Sequence, residues 1–151
     1  MITLHQVPVV QAQMLIHRPI SEVFEALVDP EITTKFWFTK SSGKLEEGKH
    51  ITWAWEMFDI SDTLYVKTLK KNEEILIEWS DGTQDRWLFT SKQGSGTVVT
   101  IINSGFTGEG DDMVRHAIDS MGGFTMVLCG MKAWLEHQIA LNLVLDGKPA
   151  E

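Results

Sequence analysis

From Val9 to Ile16 a β-branched stretch partly alternates apolar and polar side chains, predicting a first strand. Arg18-Pro19 ends it, because proline donates nothing to a strand ladder and biases its predecessor away from helix. Val23, Phe24, Leu27 and Val28 follow the three-to-four spacing of a helix with one buried face, opened at Ile20 or Ser21. Glu22 and Glu25 lie in its first turns, where the helix dipole favours acids. Asp29-Pro30-Glu31 is a stop and a restart, with Asp29 as cap and Pro30 at the first position of a second helix. That helix is brief and runs into Phe36-Trp37-Phe38.

Between residues 41 and 104 the period changes to two, and six closely spaced strands are predicted. Ile51, Trp53 and Trp55 alternate with Thr52, Ala54 and Glu56, and Asp59–Asp62 reads as a turn before Thr63–Leu69. Ile75, Ile77 and Trp79 alternate with Glu74, Leu76 and Glu78. Ser80-Asp81-Gly82-Thr83 is the clearest hairpin turn, because Asp-Gly readily takes the positive φ such turns need. Arg86–Thr90 and Thr97–Asn103 follow, with Gly94-Ser95-Gly96 between them. Tight turns throughout make the sheet antiparallel.

Past Gly108 the period returns to 3.6. Met113, Val114, Ala117, Ile118 and Met121 form one stripe, which Phe124, Leu128, Met131, Leu135 and Ile139 continue. Gly122-Gly123 is expected to kink or interrupt this helix, at about 1 kcal/mol per glycine relative to alanine. Asp146-Gly147-Lys148-Pro149 is expected to close it. An antiparallel sheet hides one face, and this helix is the element long enough to cover it. Gly122, Gly123 and Gly130 make the space between helix and sheet harder to fill.

Composition narrows the class. The 151 residues suit a single domain over 1–151, and 43% hydrophobic with 23% charged residues excludes wholesale disorder. The net charge of −8 argues against a nucleic-acid partner and an anionic membrane surface. No apolar run approaches the roughly 20 residues of a membrane span. The lone Cys129 suits a reducing compartment, and the N-terminal residues lack the charged and apolar regions of a secretory signal, so a cytoplasmic location is expected. Six tryptophans and seven phenylalanines stand beside one tyrosine. Such a set builds either an aromatic-rich core or an apolar cavity lined by rings.

The run Ile16-His17-Arg18-Pro19-Ile20-Ser21-Glu22-Val23-Phe24-Glu25-Ala26-Leu27-Val28-Asp29-Pro30, with Phe36-Trp37 after it, resembles the opening signature of the SRPBCC (START, Bet v allergen-like) superfamily. Gly123-Phe124-Thr125 with Leu128, Lys132, Trp134, Leu135 and Glu136 resembles the ending of one branch, the activator of heat-shock protein 90 ATPase homologues, in its small bacterial-type form. The resemblance implies an α+β helix-grip fold. In it a curved antiparallel sheet of about seven strands wraps around a long C-terminal helix, two short helices follow the first strand, and an apolar ligand cavity often lies between sheet and helix. It also implies a superfamily of carriers, receptors, cyclases and a cochaperone domain, among which a shared fold does not select.

Catalytic constellations are thin. Gly94-Ser95-Gly96 lacks the lysine-bearing helix of a phosphate loop, and His116 and His137 do not have helical metal-ligand spacing. No metal or cofactor is expected. Asp111-Asp112 reads as helix capping, Cys129 as an inert thiol, and Glu56 as solvent-facing. Arg115, His116 and Asp119 near the helix start, and Asp81 and Asp85 flanking a hairpin, are two polar clusters; Arg115 or His116 would meet a ligand's polar end at a cavity mouth, but a solvated helix face is the favoured reading.

The aromatic faces carry more weight, since the opposite faces of the same strands hold Thr52, Glu56, Glu74, Glu78, Arg86 and Thr90. Trp53, Trp55, Trp79, Trp87 and Phe89 from the sheet, with Met121, Phe124, Leu128 and Met131 from the helix, are the candidate ligand-binding residues. The expected function is binding of a small apolar molecule without catalysis. The alternatives are a cyclase- or hydrolase-type enzyme using the same cavity and a cochaperone-like interaction domain. A chaperone partner is disfavoured in a chain of one domain, and an exposed strand edge leaves room for a homodimer.

Overall fold

A computed structural model describes residues 1–148. The strands are β1 (Val10–Ile16), β2 (Lys40–Ser41), β3 (His50–Trp55), β4 (Ile60–Lys70), β5 (Glu74–Trp79), β6 (Gln84–Lys92) and β7 (Gly96–Ser104). The helices are α1 (Ile20–Val28), α2 (Pro30–Thr33), α3 (Gly110–His137) and α4 (Leu143–Asp146). All seven strands form one antiparallel sheet in the order β1-β7-β6-β5-β4-β3-β2. The six strands after β1 match the predicted number, β2 being only two residues long.

Local chemistry explains the joints. Asp29 Oδ1 accepts from the Glu31 N–H at 3.0 Å, and Pro30 opens α2, as the sequence predicts. The β5–β6 turn places Gly82 at φ 89°, and Asp81 Oδ1 accepts from the N–H and the Oγ1–H of Thr83 at 2.9 and 2.7 Å. In β4 the register slips between Val66 and Thr68, a bulge at Lys67 that bends and twists the strand. The turn expected at Asp59–Asp62 falls earlier. A 3-10 turn over Glu56–Phe58 ends with Asp59 left-handed at φ 53°, so β4 begins at Ile60 and Asp62 lies within the strand.

α3 follows β7 and crosses the concave face of the sheet, packing mainly against β1. It runs without interruption through Gly122-Gly123, against the expected break. The cost of two glycines is small for 28 residues of helix whose C-terminal half is anchored by packing. At its start Glu109 and Asp112 form a capping box, in keeping with the capping role read for Asp112. α3 ends at His137, where Gln138 turns left-handed at φ 55°, so Ile139 leaves the stripe and is exposed. The chain then folds back, and α4 lies along α3 as a separate element.

The core fills one end of the concave face. Ile75, Ile77, Trp87, Phe89, Val99 and Ile101 of the sheet are buried there with Val23, Phe24 and Leu27 of α1 and Val127, Leu128 and Met131 of α3. Gly130 lets α3 approach α2's exit closely, since a Cβ there would meet Phe36 Cβ at 3.1 Å. Lys132 Nζ donates to the Leu15 carbonyl at 2.8 Å and to Glu136 Oε2 at 2.6 Å, and the His17 N–H donates to the same Oε2 at 2.9 Å. These bonds fasten the end of α3 to β1. Among the described residues no helix is long and apolar enough to cross a membrane.

Candidate functional site: a two-lobed cleft

Alternation along the strands decides what faces α3. On β4, Asp62 shares its face with Leu64 and Val66; on β6, Asp85 shares one with Trp87 and Phe89; on β7, Asn103 shares one with Ile101 and Val99. The register pairs Asp85 with Asn103 and with Ile77, and Trp79 with Leu64. Four strands thus bring Asp62, Trp79, Asp85 and Asn103 to one end of the concave face. The N-terminal half of α3 overlies that end without closing on it: Ile118 is 69% exposed and Met121 42%.

The open space forms two adjoining lobes that share Trp37, Trp55, Ile60, Asp119, Ser120 and Phe124 as walls. The apolar lobe measures about 510 Å³ and adds Phe58, Met126, Val127 and Val144, with Gly122 and Gly123 on its helix side. No atom lies within 4 Å of where a Cβ would stand on either glycine, so the pair leaves room there. The polar lobe, also about 510 Å³, adds Asp62, Trp79, Asp81, Thr83, Asp85, Asn103 and His116. Volumes of this order suit small-molecule sites.

Trp37 is the hub of the aromatic wall. Its ring centroid lies 4.9 Å from Trp53, 5.5 Å from Trp87, 6.0 Å from Phe124, 6.4 Å from Trp79 and 6.5 Å from Trp55. Edge-on and tilted pairs of this kind stiffen the wall beyond simple area burial.

The floor of the polar lobe is a buried carboxyl. Asp85 is 0% exposed, with Oδ2 accepting from Trp79 Nε1–H at 2.8 Å and Oδ1 from Asn103 Nδ2–H at 2.7 Å. Burial pushes its pKa up from 3.8 to about 7; the two donated hydrogen bonds pull it down, and the negative charge of Asp81 pushes it further up. A carboxyl that titrates near neutrality is able to give or take a proton. Asn103, 3% exposed, donates its second Nδ2–H to the Gln84 carbonyl at 3.1 Å, while its Oδ1 is buried without a partner. Among the described residues no group of three His, Cys, Asp or Glu side chains is placed to hold a metal ion.

The nine candidate residues divide among three environments. Trp55 and Phe124 line both lobes, and Trp79 lines the polar one. Trp53, Trp87, Phe89, Leu128 and Met131 are packed in the closed end, where Trp53 and Trp87 border a void of only about 10 Å³. Met121 is exposed on α3. Of the polar clusters, His116, Asp119, Asp81 and Asp85 meet in the polar lobe, while Arg115 points to an exposed ion pair with Asp112 at 3.3 Å. Sequence reading did not name Trp37, Phe58, Ile60, Asp62 or Asn103 as site residues. The signal for Asp62 and Asn103 was their alternation with buried apolar neighbours; that for Trp37 was the Phe36-Trp37-Phe38 run.

Comparison places this architecture among known proteins. A family model described as Activator of Hsp90 ATPase homolog 1-like protein matches residues 17–136. A solved structure of a Staphylococcus saprophyticus protein is 30% identical, covers 89% of this chain and 96% of its own, and superposes with a TM-score of 0.80. A Mesorhizobium loti protein, 17% identical over 87% of this chain and 99% of its own, gives 0.76. The Aha1 dimer from Colwellia psychrerythraea, 17% identical over 87% of this chain and 98% of its own, gives 0.73 and shares the fold. Comparison with curated proteins finds no match.

Proposed function

The chain belongs to the Activator of Hsp90 ATPase homolog 1-like family, and on that premise we propose that it binds a small, mainly apolar molecule in the cleft under α3, as a carrier or sensor. One observation carries this reading: α3 closes over only half of the concave face and leaves an aromatic-walled lobe of about 510 Å³ beside its glycine pair. A core that merely needed filling would place large side chains at those two positions. Trp37, Trp55 and Phe124 would hold the body of the ligand, with Val144 of α4 at one lip.

Native mass spectrometry of gently purified protein, followed by denaturation and identification of what is released, tests the reading. An apolar compound at near one-to-one supports it. A clean apo mass with no thermal shift against a hydrophobic library overturns it.

Asp85 gives a second reading some footing, that of a cyclase- or hydrolase-type enzyme, because a carboxyl with a pKa of about 7 lies in the wall of the cleft. That reading requires turnover of the released compound, a rate that follows one ionisation near neutrality, and loss of the rate in Asp85→Asn. Binding without turnover leaves the carrier.

A further inference from the structure

The floor of the polar lobe offers acceptors, because the donors beside Asp85 are already committed. Each oxygen of Asp85 already takes one fixed donor, from Trp79 and from Asn103. Both Nδ2 hydrogens of Asn103 are spent, on Asp85 and on the Gln84 carbonyl. Thr83 Oγ1 donates to Asp81, and Ser80 Oγ donates to Asp62. At the floor of the lobe, what remains free is the second lone pair on each Asp85 oxygen and the whole of Asn103 Oδ1, a buried carbonyl with no partner. Orphaned acceptors this deep are uncommon in folded proteins, and each one marks a place where a donor is missing.

Charge points the same way. Asp62, Asp81, Asp85 and Asp119 all line this lobe, and no lysine or arginine is among the residues that do. Low-dielectric walls focus such a field, and the lobe is lined by the rings of Trp37, Trp55 and Trp79, a residue type whose π-face attracts cations. An anionic or purely accepting head group would meet four carboxylates.

We propose that the polar lobe receives the ammonium group of an amphiphilic amine, with Asp85 and Asn103 as its anchoring acceptors and the apolar lobe holding its hydrocarbon part. This rests on the cleft reading given above and names the ligand's chemistry. The ammonium supplies both the donors that Asn103 Oδ1 lacks and the positive charge that four carboxylates favour. Binding is then coupled to release of the Asp85 proton. The groups facing Asp85 are Asp81 from the β5–β6 turn, Asp62 from β4, and His116 and Asp119 from α3.

The test compares three probes of equal chain length, decylammonium, decanol and decanoate, titrated into the full chain below the micelle concentrations of the two ions and the solubility limit of the alcohol, and followed by calorimetry. Decylammonium is expected to bind at least about tenfold tighter than decanoate at pH 8. Its affinity is expected to rise about tenfold between pH 6 and pH 8 as Asp85, with a pKa of about 7, ionises. His116→Gln retains that rise, whereas Asp85→Asn abolishes it together with the preference for the amine. Asn103→Ala weakens decylammonium more than decanol. Equal binding of the three probes, or tighter binding of decanoate, overturns the head-group assignment and leaves the apolar cleft standing. Binding of none overturns both. The probe series on the unaltered chain decides the matter even where a variant does not fold.

Discussion

From Val127 to Glu136, α3 is fastened to β1 and to the aromatic core, whereas between Gly110 and Met126 the same helix leaves Ile118, Met121 and Met126 exposed. Leu128 is 1% exposed in the first stretch and Ile118 is 69% exposed in the second. Helical periodicity is continuous across both, so the difference does not come from the helix. It comes from what stands opposite: Trp87, Phe89, Val99 and Ile101 at the closed end, Asp85 and Asn103 at the open one. A sheet face that turns polar at one end cannot be covered cheaply by an apolar helix, because the carboxylates of Asp62 and Asp81 beside the already buried Asp85 would lose their water as well. The open half is therefore held away from the core by the chemistry of the sheet.

The sharpest way to break this comparison is to delete a large side chain at the closed end. Trp87→Ala is expected to destabilise the protein by about 3–5 kcal/mol in urea denaturation, while Ile118→Ala in the open half changes stability by less than about 0.5 kcal/mol. Similar losses for the two would mean that the halves are packed alike.

Acid and base should act on the two ends in opposite directions. Asp85 has a folded pKa of about 7 against an ordinary 3.8, so between those values the folded state holds a proton that the unfolded state has released. Stability contributed by this group is present at low pH and falls as pH rises toward 7. From pH 5 to pH 8 the loss is of the order of 2–3 kcal/mol, measured against Asp85→Asn, which lacks the titration. At the closed end burial pushes the Glu136 carboxyl up, but the Lys132 ammonium and the His17 N–H outweigh it and hold the pKa below the usual value. Its contribution is present above the unfolded pKa and is lost as pH falls through the folded one. Glu136→Gln is expected to cost about 1–2 kcal/mol at pH 7 and progressively less in acid, by the same denaturation series.

The closed end was readable in the sequence because it obeys the simplest rules. Period-two alternation located the strands, and Val23, Phe24 and Leu27 located the inner face of α1. The open end depended on registers that alternation does not supply. Asp62, Asp85 and Asn103 each stand two residues from a buried apolar neighbour, yet only the pairing of β4 through β7 shows that they share one end. Reading Asp59–Asp62 as a turn removed Asp62 from the face it occupies, since the left-handed Asp59 lets the chain turn three residues earlier. Trp37 owes its central place to the path of the loop after α2, which follows from tertiary packing rather than from local pattern. The end of α3 was overrun for a related reason: Ile139 continues the apolar stripe, but Gln138 has already left the helix.

The smallest expected effect separates the two halves most directly, because stability and binding should move in opposite senses. Gly122 and Gly123 sit inside a continuous helix with nothing within 4 Å of a Cβ built on either, and both border the apolar lobe. Alanine at either position needs no rearrangement and removes the entropy that glycine loses on folding, so each substitution is expected to stabilise the protein by roughly 0.5–1 kcal/mol. The added methyl groups enter the space that a ligand would use, and Gly123→Leu should occupy still more of it. In the packed end the same experiment has the reverse sign, since a Cβ on Gly130 would press on Phe36 Cβ at 3.1 Å. Thermal denaturation together with decylammonium titration of Gly122→Ala, Gly123→Ala, Gly123→Leu and Gly130→Ala measures both quantities. A gain in stability with loss of affinity at 122 and 123, beside a loss of stability at 130, is what a helix gripped at one end and held open at the other requires. Unchanged affinity in Gly123→Leu would mean that the lobe is a surface hollow and that the glycines serve the helix alone.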